Sequence, residues 1–194
     1  MSPVRPGGTL SAVVLAAGAA TRFGGPKQLA IVEGAPLVWR AAAMAQGLCP
    51  GRTVVVTGAH AAATAGALAG LGVVLAQNLR WAEGLASSLN CGLDALPPDT
   101  DACLVLLADQ PAVSAADLNG LRAAWALAPH QPAAAHYNDV LGVPAIFPRS
   151  AWPALRALTG DQGARRLLAT LPGVTAAPMP GALLDIDTPA DLAR

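Results

Sequence analysis

The sequence predicts an α/β fold: a three-layer, mostly parallel open sheet with helices on both faces. Three observations carry that prediction. Short Val- and Leu-rich runs without charge recur along the chain, as expected of parallel strands covered on both sides. Segments with apolar residues at helical spacing alternate with those runs. A Gly-containing loop follows directly on the first run, where open α/β sheets place ligands.

Residues 11–16 (SAVVLA) read as the first strand and residues 17–28 as the loop. Residues 36–48 read as a helix, with Leu37, Val38, Ala41, Ala45 and Leu48 on one face and Pro36 suited to the first turn. Residues 53–56 are the second strand, 61–68 an alanine-rich helix and 72–75 a third strand. Residues 86–96 read as a helix carrying Leu89, Leu93 and Leu96. Residues 102–108 (ACLVLLA) are the clearest strand. Ser114 is placed to cap a helix running to about Leu127. Beyond it, strands are expected at 133–137, 143–147, 174–177 and 183–186. Helices are expected at 151–158 and 162–171, and Thr188 with Pro189 opens a last one. With no internal repeat or linker, residues 1–194 read as one domain, as the length suggests.

The chain is 54% hydrophobic and 12% charged, enough apolar material for a core and too much for a disordered chain. Its 45 alanines inflate that fraction, because Ala buries little area. Twelve basic and 12 acidic residues balance, which argues against a nucleic-acid coat or a polybasic membrane patch. Cys49, Cys91 and Cys103 are scattered, without CxxC spacing, and fit buried thiols in a reducing cytoplasm. The first ten residues lack the apolar core of a signal peptide. Residues 53–79 carry no Asp, Glu, Lys or Arg, yet Gly at 58, 66, 70 and 72 and several polar residues favour strand–helix–strand over a membrane span.

The chemistry-bearing residues are few. Of the 12 basic residues only Lys27 is a lysine, and it falls in the first loop, LAAGAATRFGGPK, together with Arg22. Backbone N–H groups of such a loop can approach a phosphate chain, and a compact, flexible ammonium suits a triphosphate. The loop is neither a Walker A nor a GxGxxG motif, and read alone it also suits a plain surface turn. Asp109, directly after the 102–108 strand, lies on the same rim. A carboxylate there suits Mg²⁺, or caps the turn at Pro111. In DIDTP, Asp185 and Asp187 would share a face if that segment is a strand, and would complete a metal set if the fold brings them to Asp109. Ser87 and Ser88 stand near a helix start after Gly84, where hydroxyls meet a base or phosphate or act as caps. Asp161, Arg165 and Arg166 form a further charged turn.

Together and in order these segments resemble the MobA-like nucleotidyltransferase family of the molybdenum cofactor, and within it the molybdopterin cytidylyltransferases. LAAGAATRFGGPKQL matches the family's opening motif, with Ala20 and Thr21 around the usual Ser. NLRWAEGLASSL, LADQP, GDQGAR and DIDTPADL match four further motifs, so the likeness runs from about residue 11 nearly to the end. It implies a Rossmann-like nucleotidyltransferase fold. It also implies transfer of CMP from CTP to the phosphate of molybdenum-loaded molybdopterin, with pyrophosphate released. Leu15, Ala16, Ala17, Gly18, Arg22 and Lys27 would hold the nucleotide, with Ser87 and Ser88 near it. Asp109 would hold Mg²⁺, with Asp187 the second ligand and Asp185 a candidate. LAAG in place of the LAGG of guanylyltransferases points to CTP. The acceptor would dock on the C-terminal half of the rim. The implied partners are CTP, a phosphorylated pterin, and a molybdoenzyme or its maturation chaperone. One departure bears on the acceptor: Val143 stands where many members have His. Three alternatives accompany this reading: another phosphorylated acceptor, a flavin- or NAD(P)-dependent oxidoreductase, and a non-catalytic cofactor-delivery module.

Overall fold

The computed structural model describes residues 8–193. The chain runs through β1 (Leu10–Ala16), a small hairpin of β2 (Ile31–Val32) and β3 (Ala35–Pro36), α1 (Leu37–Leu48), β4 (Thr53–Thr57), α2 (Ala61–Ala67), β5 (Val74–Gln77) and α3 (Leu85–Asp94). It continues through β6 (Ala102–Leu107), α4 (Ala115–Leu127), β7 (Ala133–Tyr137), β8 (Val140–Pro148), α5 (Trp152–Arg156), α6 (Ala164–Leu168) and β9 (Thr175–Pro178).

Seven strands form one sheet in the order β5-β4-β1-β6-β8-β7-β9. The first four are parallel. β8 runs antiparallel to β6 and to β7, and β9 is parallel to β7. From β1 the chain builds outward through β4 and β5, then returns to place β6 on the other side. The order therefore reverses between β1 and β6, and the carboxyl ends of those two strands flank the crevice where such sheets bind ligands.

Alternation along the central strands separates two cores. Ala12, Val14, Leu104 and Leu106 face the side covered by α1 and α4, with Val38, Ala45, Leu118 and Leu121. Val13, Leu15, Cys103 and Val105 face the side covered by α3, α5 and α6, with Leu89, Leu93, Leu155 and Leu168. Both faces are thus buried, which is why the strands read as continuous apolar runs.

The α/β class, the sheet and its two helical layers are as the sequence predicts; the later boundaries differ. β5 starts at Val74 rather than at 72, because Gly72 is a turn residue with a φ of 71°. β7 and β8 make a hairpin through Asn138 and Asp139, both left-handed, as a two-residue primed turn requires. Ser114 caps α4 in a reciprocal box with Asp117, as expected. The helices expected at 151–158 and 162–171 shrink to α5 and α6. The strand expected at 183–186 does not form. Residues 180–183 make a 3-10 turn, and the chain then crosses the end of β6 with one backbone bond, from Ile186 N–H to the Asp109 carbonyl at 3.0 Å, and a side-chain bond from Gln110 Nε2 to the Ala182 carbonyl at 2.9 Å. The last helix is a 3-10 turn, Pro189–Ala193. The uncharged stretch 53–79 resolves into β4, α2 and β5, and among the described residues no helix is long and apolar enough to cross a membrane.

Candidate nucleotide site at the carboxyl rim

The loop after β1 is held back against the sheet. Gln28, 5% exposed, reaches from the 3-10 turn Lys27–Leu29 toward the Ala16 carbonyl at 3.5 Å. The Ala17 carbonyl accepts from Ala59 N–H at 3.0 Å. The His60 ring lies 3.3 Å from the Ala19 carbonyl oxygen, a supporting contact that no sequence motif signals. Ala20 adopts a left-handed φ of 53°, a constrained conformation for a residue with a side chain. The loop is therefore fixed at both ends, while Gly18, Ala19, Ala20 and Lys27 border open space.

That space is a cleft of about 390 Å³ at the switch point between β1 and β6. Leu15, Ala16, Ala17, Gly18 and Lys27 line one side, and Ala108 and Asp109 the other. Trp81, Ala82, Gly84, Leu85, Ser88 and Asp161 contribute the remaining wall. Arg22 lies at the rim, with its side chain 76% exposed.

Lys27 is the centre of the charged cluster. Its Nζ donates to Asp109 Oδ2 at 2.7 Å and to Asp187 Oδ1 at 3.0 Å. Arg22 approaches Asp187 Oδ2 at 3.1 Å. Burial by itself would lower the pKa of the Lys27 ammonium, but the charges and hydrogen bonds of Asp109 and Asp187 more than offset it and raise the pKa. Asp109 is anchored by the Ile186 bond to its carbonyl. Asp187 is anchored by Asp191, whose Oδ2 accepts from Asp187 N–H at 3.2 Å and Thr188 N–H at 2.8 Å. Asp191 also takes the Thr188 hydroxyl at 2.8 Å. Thr188, expected to open the last helix, precedes the 3-10 turn and is held there by Asp191 through both its N–H and its hydroxyl.

Asp185 departs from expectation. Residues 183–186 form no strand, so the strand face expected to carry both Asp185 and Asp187 is absent, although the Asp187 charge still acts on Asp185. Asp185 borders a smaller recess of about 140 Å³, beside Gln110, Tyr137, Val143 and Arg165. Burial, then the nearby Asp109 charge, push its carboxyl up to about 6, against a lowering hydrogen bond from Gln110. Among the described residues no three His, Cys, Asp or Glu side chains form a metal-binding group, so the three-carboxylate set is not assembled. Asp109 and Asp187 remain as a pair, and Mg²⁺ needs only one or two carboxylates beside substrate phosphates. Asp109 Oδ1 is buried without a hydrogen-bond partner, which fits an oxygen that meets a cation.

The two serines also differ. Ser88 borders the cleft. Ser87 is engaged elsewhere: its hydroxyl lies 2.8 Å from the Gly84 carbonyl and 2.9 Å from that of Arg80, an i−3 bond at the first turn of α3. The buried Asn78 side chain donates to Ser87 at 2.9 Å and Ser88 at 3.0 Å and accepts from Arg80 N–H at 2.9 Å. Ser87 therefore braces the loop, and Asn78, to which the sequence assigns no role, organises the segment. Of the charged turn, Asp161 reaches the cleft while Arg165 borders the recess.

The site can be set beside known proteins. The purine catabolism protein PucB of Bacillus subtilis (strain 168) is 39% identical over 95 residues. That match covers 47% of this chain and 45% of PucB, so it spans less than half of the relative. The crystal structure of Rv0371c from Mycobacterium tuberculosis H37Rv matches at a TM-score of 0.84 and 27% identity, covering 97% of both chains. A structure of Rv0371c in complex with manganese matches at 0.77 and 26% identity, covering 96% of this chain and 97% of that one. A nucleotidyl transferase from Methanothermobacter thermautotroptrophicus, Mth528, matches at 0.79 and 25% identity, covering 96% and 95%. The profile of the MobA-like NTP transferase domain matches residues 12–175, most of the sequence. The chain belongs to the MobA-like NTP transferase domain family.

Proposed function

We propose that this chain transfers CMP from CTP to the phosphate of molybdenum-loaded molybdopterin, using Mg²⁺ and releasing pyrophosphate. The observation that carries the reading is that Lys27 and Asp109 line the cleft between β1 and β6 while the Lys27 ammonium binds Asp109 and Asp187 together. The loop 15–18 would take the nucleotide, with Ser88 on the opposite wall. Lys27 and Arg22 would neutralise the triphosphate, and Asp109 with Asp187 would hold the metal. Bound there, the metal would supply a Lewis acid for the phosphate oxygens. An oxygen of the acceptor phosphate attacks the α-phosphorus, the bond from that phosphorus to the bridging oxygen breaks, and pyrophosphate leaves. A phosphate monoester has its second pKa at about 6, so the attacking oxygen is already anionic and no side chain need remove a proton. The work left to the protein is positioning and charge neutralisation. The manganese complex of Rv0371c supports a divalent ion on this fold, and Mth528 supports nucleotidyl transfer.

A second reading keeps the chemistry and changes the acceptor. Val143, in the place where many family members carry His, borders the recess next to the cleft and makes that wall apolar. A different phosphorylated acceptor would meet it there. The test is pyrophosphate release from each of the four NTPs with Mg²⁺, against molybdopterin and a panel of phosphorylated small molecules. Release with CTP and molybdopterin supports the first reading. Release only with another acceptor supports the second, and no release with any pair overturns both.

A further inference from the structure

The geometry points to Lys27 as a placeholder cation that keeps divalent metal off Asp109 and Asp187 until nucleotide phosphates draw it away. This rests on the proposed metal and nucleotide site and adds to it the coupling of the two ligands. The Lys27 ammonium lies between the two carboxylates, 2.7 Å from Asp109 Oδ2 and 3.0 Å from Asp187 Oδ1. A divalent ion held by the same two oxygens at about 2.1 Å would need that space. An ion taken instead by the buried Oδ1 of Asp109 would lie beside the ammonium and be repelled by it in a partly buried setting. With Arg22 on Asp187 Oδ2, each of the two carboxylates already has a cation on it, which weakens their pull on a metal even with Asp185 nearby.

The movable partner is the lysine. Asp109 is tied through Ile186, and Asp187 through Asp191. Lys27 stands on a four-carbon stem, and Arg22 is on the same loop with its side chain mostly exposed. A triphosphate seated against residues 15–18 offers both cations several anionic oxygens. Their transfer to it would uncover the carboxylates for the metal. Binding is then linked: nucleotide tightens metal and, reciprocally, metal tightens nucleotide.

The test is Mn²⁺ binding followed by the electron paramagnetic resonance of the free ion, on wild type, Lys27→Met and Lys27→Gln without nucleotide. Thermal melts confirm that each variant is folded, and the Gln variant keeps a donor should Met fail to fold. Both variants are expected to bind Mn²⁺ about ten-fold more tightly than wild type, a coupling of ordinary size. The gain is expected to vanish when Asp109→Asn is added. Wild type with Mn²⁺ and CTP is expected to show water-proton relaxation enhancement above that of the Mn²⁺–CTP complex alone. Variants no tighter than wild type, or a gain that survives Asp109→Asn, overturn the placeholder role. If CTP still gives the enhancement in that case, the metal and nucleotide site stands; without it, that site falls as well.

Discussion

Gly84 packs its bare α-carbon against the backbone of Gly160: a Cβ at Gly84 would come within 2.4 Å of the Gly160 carbonyl oxygen. The same carbonyl accepts from Ala86 N–H at 3.0 Å. Two loops far apart in sequence are thereby joined, one leading into α3 and Ser88, the other carrying Asp161 to the cleft. Gly84 also has a φ of 106°, which a side chain disfavours. Because the obstructing atoms are backbone, they cannot rotate away. Gly84→Ala is expected to destabilise the fold by about 2–4 kcal/mol and to lower pyrophosphate release. Gly160→Ala is the contrast, since a Cβ there meets open space and only a φ of 58° opposes it. That variant is expected to lose about 1 kcal/mol. Urea melts of the two distinguish a close approach from a backbone preference, and equal losses would refute the packing argument.

Asn78 spends its side chain on three partners, two serine hydroxyls and the Arg80 N–H. It is buried, so truncation leaves those groups without a replacement from water. Asn78→Ala is expected to cost about 2–3 kcal/mol. Ser87→Ala, which removes only the bracing hydroxyl, is expected to cost less and to leave the KM for nucleotide unchanged. A Ser88→Ala variant, altered on the cleft wall itself, should raise that KM. A reversed order for the two serines would return Ser87 to the nucleotide side.

Lys27→Ala and Asp109→Asn act on the proposed chemistry. Each removes a charge from the cleft, and each is expected to lower the rate of pyrophosphate release by about 100–1,000-fold, the range found when a preorganised electrostatic partner of the reacting group is lost. Single-turnover measurements at saturating nucleotide and Mg²⁺ read this directly. Unchanged turnover in either variant would remove that residue from the mechanism.

These variants also mark what a sequence can and cannot disclose. Asp109 is legible because it follows β6 directly, and Lys27 because it is the lone lysine of the loop that leaves β1; open α/β sheets gather such positions on one rim. The bond between them spans 82 residues, and that from Lys27 to Asp187 spans 160. Periodicity carries no information over such distances. Asp185 and Asp187 lack the strand face expected for them because residues 183–186 find no strand partner, which a local apolar alternation does not reveal. Ser87 and Ser88 are neighbours on one helix, about 100° apart in direction, and spacing alone does not say which faces the cleft. Asp191 clamps Asp187 through backbone N–H groups, a role that looks like ordinary turn chemistry until the fold is known.

The cysteines offer a measurement independent of activity. Burial pushes the Cys49 thiol up to about 11, outweighing the lowering by Arg122 and Arg52. Cys103 is fully buried and its thiol is raised further, again by burial first. Cys91 is only partly buried. Alkylation of the native protein at mildly alkaline pH is expected to modify Cys91 first and to spare the other two until unfolding. The raised Cys49 pKa also fixes a sign. The folded state holds the proton more tightly, so its stabilising contribution is complete below the unfolded value of 9.0 and is lost as pH rises toward about 11. Cys49→Ala should flatten the decline of stability across that window, and an unaltered slope would show that the thiol is not the group responsible.

Ala17 bears on base selection. Its methyl group is buried at the end of β1, its carbonyl is held by Ala59 N–H, and it borders the cleft. The LAGG of guanylyltransferases has Gly at the place that Ala17 takes in LAAG. The methyl packs in the core beside Gly58, and removing it frees the loop where it leaves the sheet, so Ala17→Gly should favour a larger base without removing Lys27 or Asp109. One methyl group is worth about ten-fold in discrimination, and a shift of that order in the GTP-to-CTP ratio of kcat/KM is expected. The ratio is read from pyrophosphate release with the same acceptor, so differences in acceptor binding cancel. A fall in both nucleotides by the same factor would place Ala17 in loop support instead. No change in either would move base recognition to the wall formed by residues 81–88.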